Sequence, residues 1–71
     1  MIQELTIVKI RGDNSGINVP LSALGTVVMV HRHPRVAYEV EFVDSNGNTI
    51  ENSLTGESTY TMTEDQLEVV E

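Results

Sequence analysis

Residues 37–44, AYEVEFVD, decide the fold, because apolar and acidic side chains alternate along them. In a strand, the aromatic and branched residues at even positions share one face, and Glu39 and Glu41 share the other. The sequence SNGN follows directly, and Asn46-Gly47 is a strong signal for a two-residue type I′ hairpin turn. The stretch therefore predicts half of a hairpin that forms one wall of a small core.

The rest of the chain consists of short β-branched segments separated by turn signals. Strands are expected over residues 5–10, 25–32, 48–53, 59–62 and 67–70. Residues 11–23, which contain the run DNSG, are expected to form a long loop. Thr63 and Gln66 have the spacing of a capping box, which predicts one helical turn before the last strand. Leu67 and Val69 are expected to point inward from that strand.

Five or six short strands with one helical turn indicate an all-β protein. A nearly closed barrel limits exposed sheet edges, so we expect a single small SH3-like barrel over residues 1–71, with an OB-like barrel as the next choice. The pattern leaves open which face of residues 5–10 is buried. Residues 27–30, VVMV, are apolar on both faces, which indicates either homodimerisation or burial under the long loop.

Composition limits the size of the core and the kind of compartment. Of 71 residues, 39% are hydrophobic, and two Tyr and one Phe are the aromatic residues. One thin core is therefore expected. The chain has no Cys, which excludes disulfides and thiolate metal sites and favours a reducing, cytoplasmic environment.

The charge balance disfavours two classes of partner. Eleven acidic residues against four basic ones give a net charge of −7. Nucleic acids and anionic membranes bind through Lys and Arg, of which the chain has few. No segment has the ~20 apolar residues of a membrane span. A partner protein with a basic surface fits the charge better.

Three blocks of the sequence also carry a family resemblance. They are LGTVVMV from Leu24, AYEVEFVDSNGNTI from Ala37 and TMTEDQLEVV from Thr61. Over about residues 5–70 the chain resembles short bacterial proteins of the domain of unknown function 4926 family. The resemblance implies an SH3-like barrel and no particular activity. A looser likeness of fold links the chain to the KOW motifs of ribosome-associated proteins.

A basic cluster, HRHPR, contains His31, Arg32, His33 and Arg35. It is a candidate anion patch on a hairpin tip, or else a solvated turn that relieves self-repulsion. The two histidines could share a metal with a strand carboxylate, but a zinc site needs three or four protein ligands. No metal site is predicted.

No catalytic motif is present. Glu39 and Glu41 lie on one strand face rather than across a cleft, so they are expected to be solvated charges that blunt an edge. No serine or threonine lies in a nucleophile elbow, and no glycine-rich segment carries the lysine of a phosphate loop. We therefore expect neither an enzyme nor a cofactor.

These observations predict a small acidic, non-catalytic protein-interaction module, an accessory or inhibitor-like subunit. The candidate interaction surface comprises Glu39, Glu41, Asp13 and Asn14. The alternative is a KOW-like module that associates with nucleic acid or nucleoprotein. It would use the hairpin at residues 31–35, with Tyr38 or Tyr60 for stacking.

Overall fold

The computed structural model describes residues 1–13 and 16–70 as one five-stranded antiparallel sheet. The strands are β1 (Ile7–Ile10), β2 (Leu24–His31), β3 (Ala37–Val43), β4 (Tyr60–Met62) and β5 (Leu67–Val69). Their order across the sheet is β4-β3-β2-β1-β5. The all-β prediction is confirmed, and the one helical turn is a 3-10 turn at Glu64–Gln66, directly before β5.

The alternation along β3 places its even-numbered residues in the core. Tyr38, Val40 and Phe42 are fully buried, and Glu39 and Glu41 lie on the outer face of the sheet. The rings of Phe42 and Tyr60 pack edge to face with centroids 5.5 Å apart. Strand β3 thus supplies three of the large side chains of a small core.

The first strand and the long loop complete the core. Val8 and Ile10 are buried, which answers the question of which face of residues 5–10 is covered. From residues 11–23, Val19 and Ala23 are also buried. Val19 and Ala23 therefore cover part of the inner face of the sheet, although the loop sequence is rich in turn residues.

A β-bulge in β2 explains why residues 27–30 are apolar throughout. The register with β3 shifts between Val27 and Met29, so Val28 is an extra residue. Val27 and Val30 consequently both turn toward the core, and Val28 and Met29 both remain exposed. The apolar run is not buried on both faces, because the bulge changes the side-chain alternation.

The prediction of a type I′ turn at Asn46-Gly47 is wrong. A type I′ turn needs positive φ at both central residues, and here only Gly47 has one, at 83°. The Gly47 N–H donates to the Asp44 carbonyl at 3.0 Å, and the Asp44 N–H donates to the Asn48 carbonyl at 2.9 Å. Asp44 Oδ1 also accepts the Asn46 and Asn48 N–H groups at 2.9 Å. The aspartate side chain stabilises a longer loop that needs only one left-handed residue.

The expected return strand over residues 48–53 is also wrong. Thr49 forms one isolated bridge with Val43, and the Ile50 N–H donates to the Phe42 carbonyl at 2.9 Å. Ile50 is the one apolar residue of that segment, and it packs against the core. A segment with a single inward side chain gains too little burial to extend the ladder.

At the end of the chain, one prediction holds and one fails. The capping box of Thr63 and Gln66 forms, with Gln66 Oε1 accepting the Thr63 N–H at 3.0 Å. Leu67 is buried as expected, but Val69 is 50% exposed. Val69 is the last residue of β5, and the core side chains that cover Leu67 do not cover it.

The Tyr60 hydroxyl connects the long loop before β2 with the segment between β3 and β4. Its hydroxyl lies 2.8 Å from the Glu51 carbonyl and 3.1 Å from both the Ile50 carbonyl and Asn18 Oδ1. Asn18 Oδ1 also accepts the Ser53 N–H at 3.0 Å. Burial raises the pKa of Tyr60, and the hydrogen bond with Asn18 offsets part of that rise. The buried Tyr60 side chain thereby holds the loop at Asn18 and the segment at Ile50 and Glu51 in place.

Candidate functional site on the outer sheet face

Glu39 is the centre of a hydrogen-bonded cluster on the outer face. His31 Nε2 lies 2.9 Å from its Oε2, and the Thr61 hydroxyl donates to the same oxygen at 2.8 Å. The Thr59 hydroxyl donates to Oε1 at 3.1 Å. The Glu39 side chain is 20% exposed. Most of its hydrogen-bonding capacity is therefore used within the chain.

This cluster keeps Glu39 ionised. Burial alone would raise its pKa, but hydrogen bonds from Thr61, His31 and Thr59 outweigh burial, and the pKa lies below its ordinary value. The result is a carboxylate fixed in position and charge on a regular strand. Such a group projects a negative field and has little room for a further direct contact.

The register of the sheet brings these side chains together. Thr61 of β4 lies directly opposite Glu39, and Met29 of β2 lies opposite it on the other side. His31 pairs with Ala37 and so reaches Glu39 diagonally. The sequence analysis did not predict either threonine as a partner of Glu39. The missing information was that β4 lies beside β3.

Glu41 forms the second member of an acidic row on β3, which we define as Glu39 and Glu41. Its Oε2 accepts the Thr49 hydroxyl at 2.7 Å, and Thr26 of β2 lies opposite its backbone. Among the described residues, Thr49 alone donates to this carboxylate. Glu41 therefore has an oxygen open to a partner, unlike Glu39.

An apolar ridge runs along β2 beside the acidic row. It consists of Leu24, Val28 and Met29, which are 47%, 40% and 49% exposed. The bulge produces it, since without the extra residue Val28 and Met29 would lie on opposite faces. Half-exposed apolar side chains on a rigid strand form a surface that another protein can cover at little entropic cost.

A groove of about 440 Å³ opens where the ridge reaches Leu24. Its lining residues are Pro20, Ser22, Ala23, Leu24, Val43, Asp44 and Ser45. The floor is mostly apolar, and Asp44 supplies a carboxylate at the rim.

Two other members of the predicted interaction surface lie in the long loop. Asp13 is exposed, and Asn14 lies outside the described residues. The structure therefore groups Glu39 with Glu41, and the contribution of the loop residues stays a prediction.

The predicted anion patch is divided between two surroundings. His31 belongs to the Glu39 cluster, whereas His33 and Arg35 are exposed in the turn after β2. Arg32 Nη1 donates to Met1 Sδ at 3.3 Å. Three side chains of the patch thus remain in solvent, and the fourth is held next to a carboxylate.

The prediction that Tyr38 or Tyr60 stacks on a nucleic-acid base is wrong. Tyr38 is fully buried and Tyr60 is 1% exposed, so neither ring presents a face to a base. Tyr38 instead accepts the Ile2 N–H at 3.0 Å and donates to Glu64 at 3.3 Å. Both rings serve the core.

The described residues contain neither a group of metal-binding side chains nor a helix that could span a membrane. In residues 1–13 and 16–70, no three His, Asp or Glu side chains are grouped to hold a metal ion. Over the same ranges, no helix has the length and apolar character needed to cross a bilayer.

Comparison with known proteins gives one match. The family model described as Domain of unknown function (DUF4926) matches residues 4–69. No curated protein and no solved structure matches the chain.

Proposed function

The chain belongs to the DUF4926 family, and we propose that it is a small, non-catalytic protein-interaction module whose partner presents a basic surface. It would act as an accessory or inhibitor-like subunit. The observation that carries the proposal is the apolar ridge of β2 lying directly beside the acidic row of β3. The family description assigns no activity, and this surface alone supports the proposal.

The apolar ridge supplies the contact area. Its three side chains lie on a strand that pairs with β3 along its length, so they are already ordered before binding. Fully burying an exposed side chain of this type contributes about 1.5–3 kcal/mol, so covering the exposed half of one contributes about 1 kcal/mol. A few well-packed apolar anchors dominate the affinity of most protein interfaces.

The acidic row selects the sign of the partner. Glu39 contributes a fixed negative charge, and Glu41 offers an open oxygen to a Lys or Arg. The net charge of −7 adds a long-range field of the same sign. Charge complementarity of this kind speeds association and suppresses wrong partners more than it adds affinity.

Two alternatives lead to other expectations. A nucleic-acid module would rely on Arg32, His33 and Arg35 alone, because the tyrosines are buried and His31 is next to Glu39. A homodimer through the ridge would bring two chains of charge −7 together, with their acidic rows close to the contact. Because the apolar ridge lies next to an acidic row, a basic protein fits this surface better than nucleic acid or a second copy of the chain does.

Affinity capture from native lysate tests the proposal. The tagged chain is incubated with lysate treated or untreated with nuclease, and bound proteins are identified by mass spectrometry after elution in salt steps. We expect one dominant basic protein that survives nuclease and elutes at moderate salt. Ribosomal or nucleoid proteins that vanish with nuclease would overturn the proposal in favour of the nucleic-acid alternative.

A further inference from the structure

β5 has one free edge, and its main-chain pattern shows which groups point there. The Arg11 N–H donates to the Gln66 carbonyl at 2.9 Å, and the Val70 N–H donates to the Ile7 carbonyl at 2.9 Å. Because main-chain groups alternate in direction along an antiparallel strand, even-numbered residues of this segment face β1. The main-chain groups of Leu67 and Val69 therefore face away from the sheet.

One of these outward groups is already used. The Leu67 N–H donates to the Glu64 carbonyl at the end of the 3-10 turn. Leu67 as a whole is 1% exposed, so its carbonyl is closed to a partner, whereas both main-chain groups of Val69 have no partner across this edge among the described residues. The Val69 N–H and carbonyl form a donor and an acceptor side by side, which one residue of an added strand satisfies.

A groove of about 560 Å³ lies against the same edge. Its lining residues are Ile2, Arg11, Glu64, Asp65, Leu67, Glu68 and Val69. Three carboxylates thus line it against one guanidinium, and the Met1 amine lies 3.9 Å from Glu64. The lining combines residues of β5 with residues of the 3-10 turn, so the groove lies beside β5.

We propose that β5 accepts an extended segment of a partner protein as an additional strand, in which apolar residues alternate with basic ones. The main chain of the segment would bond to the N–H and carbonyl of Val69. Its apolar side chains would cover Val69, which is 50% exposed, and its basic side chains would meet Glu64, Asp65 and Glu68. Strand addition of this kind takes affinity from the main chain and specificity from alternate side chains.

The charges argue against a second copy of the chain at this edge. Pairing β5 with itself would bring two Glu68 side chains together between molecules that each carry −7. Like charges across a strand pair are unfavourable. A basic segment removes that repulsion, and for this reason it is the occupant we propose.

This inference does not depend on the outer-face proposal. It uses the edge and groove of β5, whereas the proposed function uses the ridge of β2 and the row of β3. Substitutions at Met29 therefore test one surface, and substitutions at Val69 test the other.

The test uses two variants of one residue and two synthetic peptides. Val69→Pro removes the outward N–H, and proline is tolerated where the N–H of an edge strand faces solvent. Val69→Thr keeps the N–H and the branched shape, so it is the matched control. The probes are an eight-residue peptide of alternating Arg and Val and the same peptide with Glu in place of Arg.

Binding is measured by NMR titration, together with hydrogen exchange of the Val69 amide. We expect the Arg peptide to bind the wild type and Val69→Thr, to slow exchange of that amide, and to bind Val69→Pro at least about tenfold more weakly. Unchanged thermal unfolding of Val69→Pro would show that its fold is intact.

Three results would overturn the proposal. One is equal binding of the Arg peptide to Val69→Pro and Val69→Thr. Another is a Val69 amide whose exchange the peptide does not slow, which includes the absence of binding. The last is a dimer of the free chain in sedimentation that Val69→Pro dissociates, because a second copy would then occupy the edge.

Discussion

Replacing Gly25 by alanine would put a methyl group where two core side chains already lie. Gly25 pairs with Phe42 across β2 and β3. A Cβ at this position would lie 2.7 Å from Val40 Cγ1 and 2.8 Å from Phe42 Cδ1 and Cε1. Val40 and Phe42 are both fully buried, so neither can swing into solvent to make room. The Phe42 ring covers the glycine, and this explains why a strand in the core contains one.

The expected cost follows from two opposing effects. Overpacking a close-packed core costs about 1–3 kcal/mol, and two immobile neighbours favour the upper part of that range. Alanine regains about 0.5–1 kcal/mol relative to glycine, because it loses less backbone entropy on folding. The free energy of unfolding should therefore fall by about 1–2 kcal/mol. In a domain of this size, the Tm should fall by about 5–15 °C.

Urea and thermal unfolding of Gly25→Ala measure this change, with Thr26→Ala as the matched control. Thr26 is the next residue of β2 and points to the outer face, so its replacement should cost less than about 1 kcal/mol. Placing Gly25→Ala in a Phe42→Leu background should reduce its cost, because the rigid ring is gone. A loss below about 0.5 kcal/mol in Gly25→Ala, or an equal loss in both backgrounds, would refute the packing argument.

Two further predictions concern hydrogen-bonded side chains. Because the pKa of Glu39 is lowered in the folded chain, its ionised form stabilises the fold above its ordinary pKa of 4.5, and that contribution is lost as the pH falls through the folded value. Glu39→Gln should thus lower the free energy of unfolding by about 1 kcal/mol near neutral pH. Urea titrations in increasing acid should show that the difference in stability from the wild type shrinks. A difference that does not depend on pH would contradict a stabilising Glu39 carboxylate. Tyr60→Phe should cost about 1–2 kcal/mol, because buried acceptors lose their donor. It should also speed amide exchange at Ser53, which bonds to Asn18; unchanged exchange there would mean that the hydroxyl does not hold the loops.

The sequence predicted the parts of the fold that depend on strong local patterns. The alternation in β3 identified its buried and outer faces, and Thr63 with Gln66 marked the turn before β5. The bulge at Val28 could not be predicted, because an apolar run carries no signal of where its alternation changes. Only pairing with β3 reveals the extra residue.

The turn after β3 shows how a side chain can change an expected structure. Asn46-Gly47 suits a type I′ turn, but Asp44 accepts two N–H groups and favours a different loop. The hydrogen bonds from the Asn46 and Asn48 N–H groups to the Asp44 carboxylate thus outweighed the turn preference of Asn46-Gly47. The aspartate was visible in the sequence, and its side-chain capping offered the missing signal.

The candidate site was predictable only in part. The outward glutamates were found from alternation, and net charge indicated a basic partner. The apolar ridge depended on the unforeseen bulge, and the donors Thr59 and Thr61 depended on the strand order. Sequence reasoning therefore identified the charge of the surface and the excess apolar character of residues 27–30, but not which of those side chains lie beside the glutamates.

The most direct test of the outer-face proposal compares capture by three forms of the tagged chain. Met29→Lys places a positive charge on the ridge, opposite Glu39, where the fold should tolerate it. Leu54→Lys makes the same change in charge at a loop residue that is 77% exposed. The account predicts one basic protein that the wild type and Leu54→Lys retain and Met29→Lys loses. Equal capture by all three forms would contradict it.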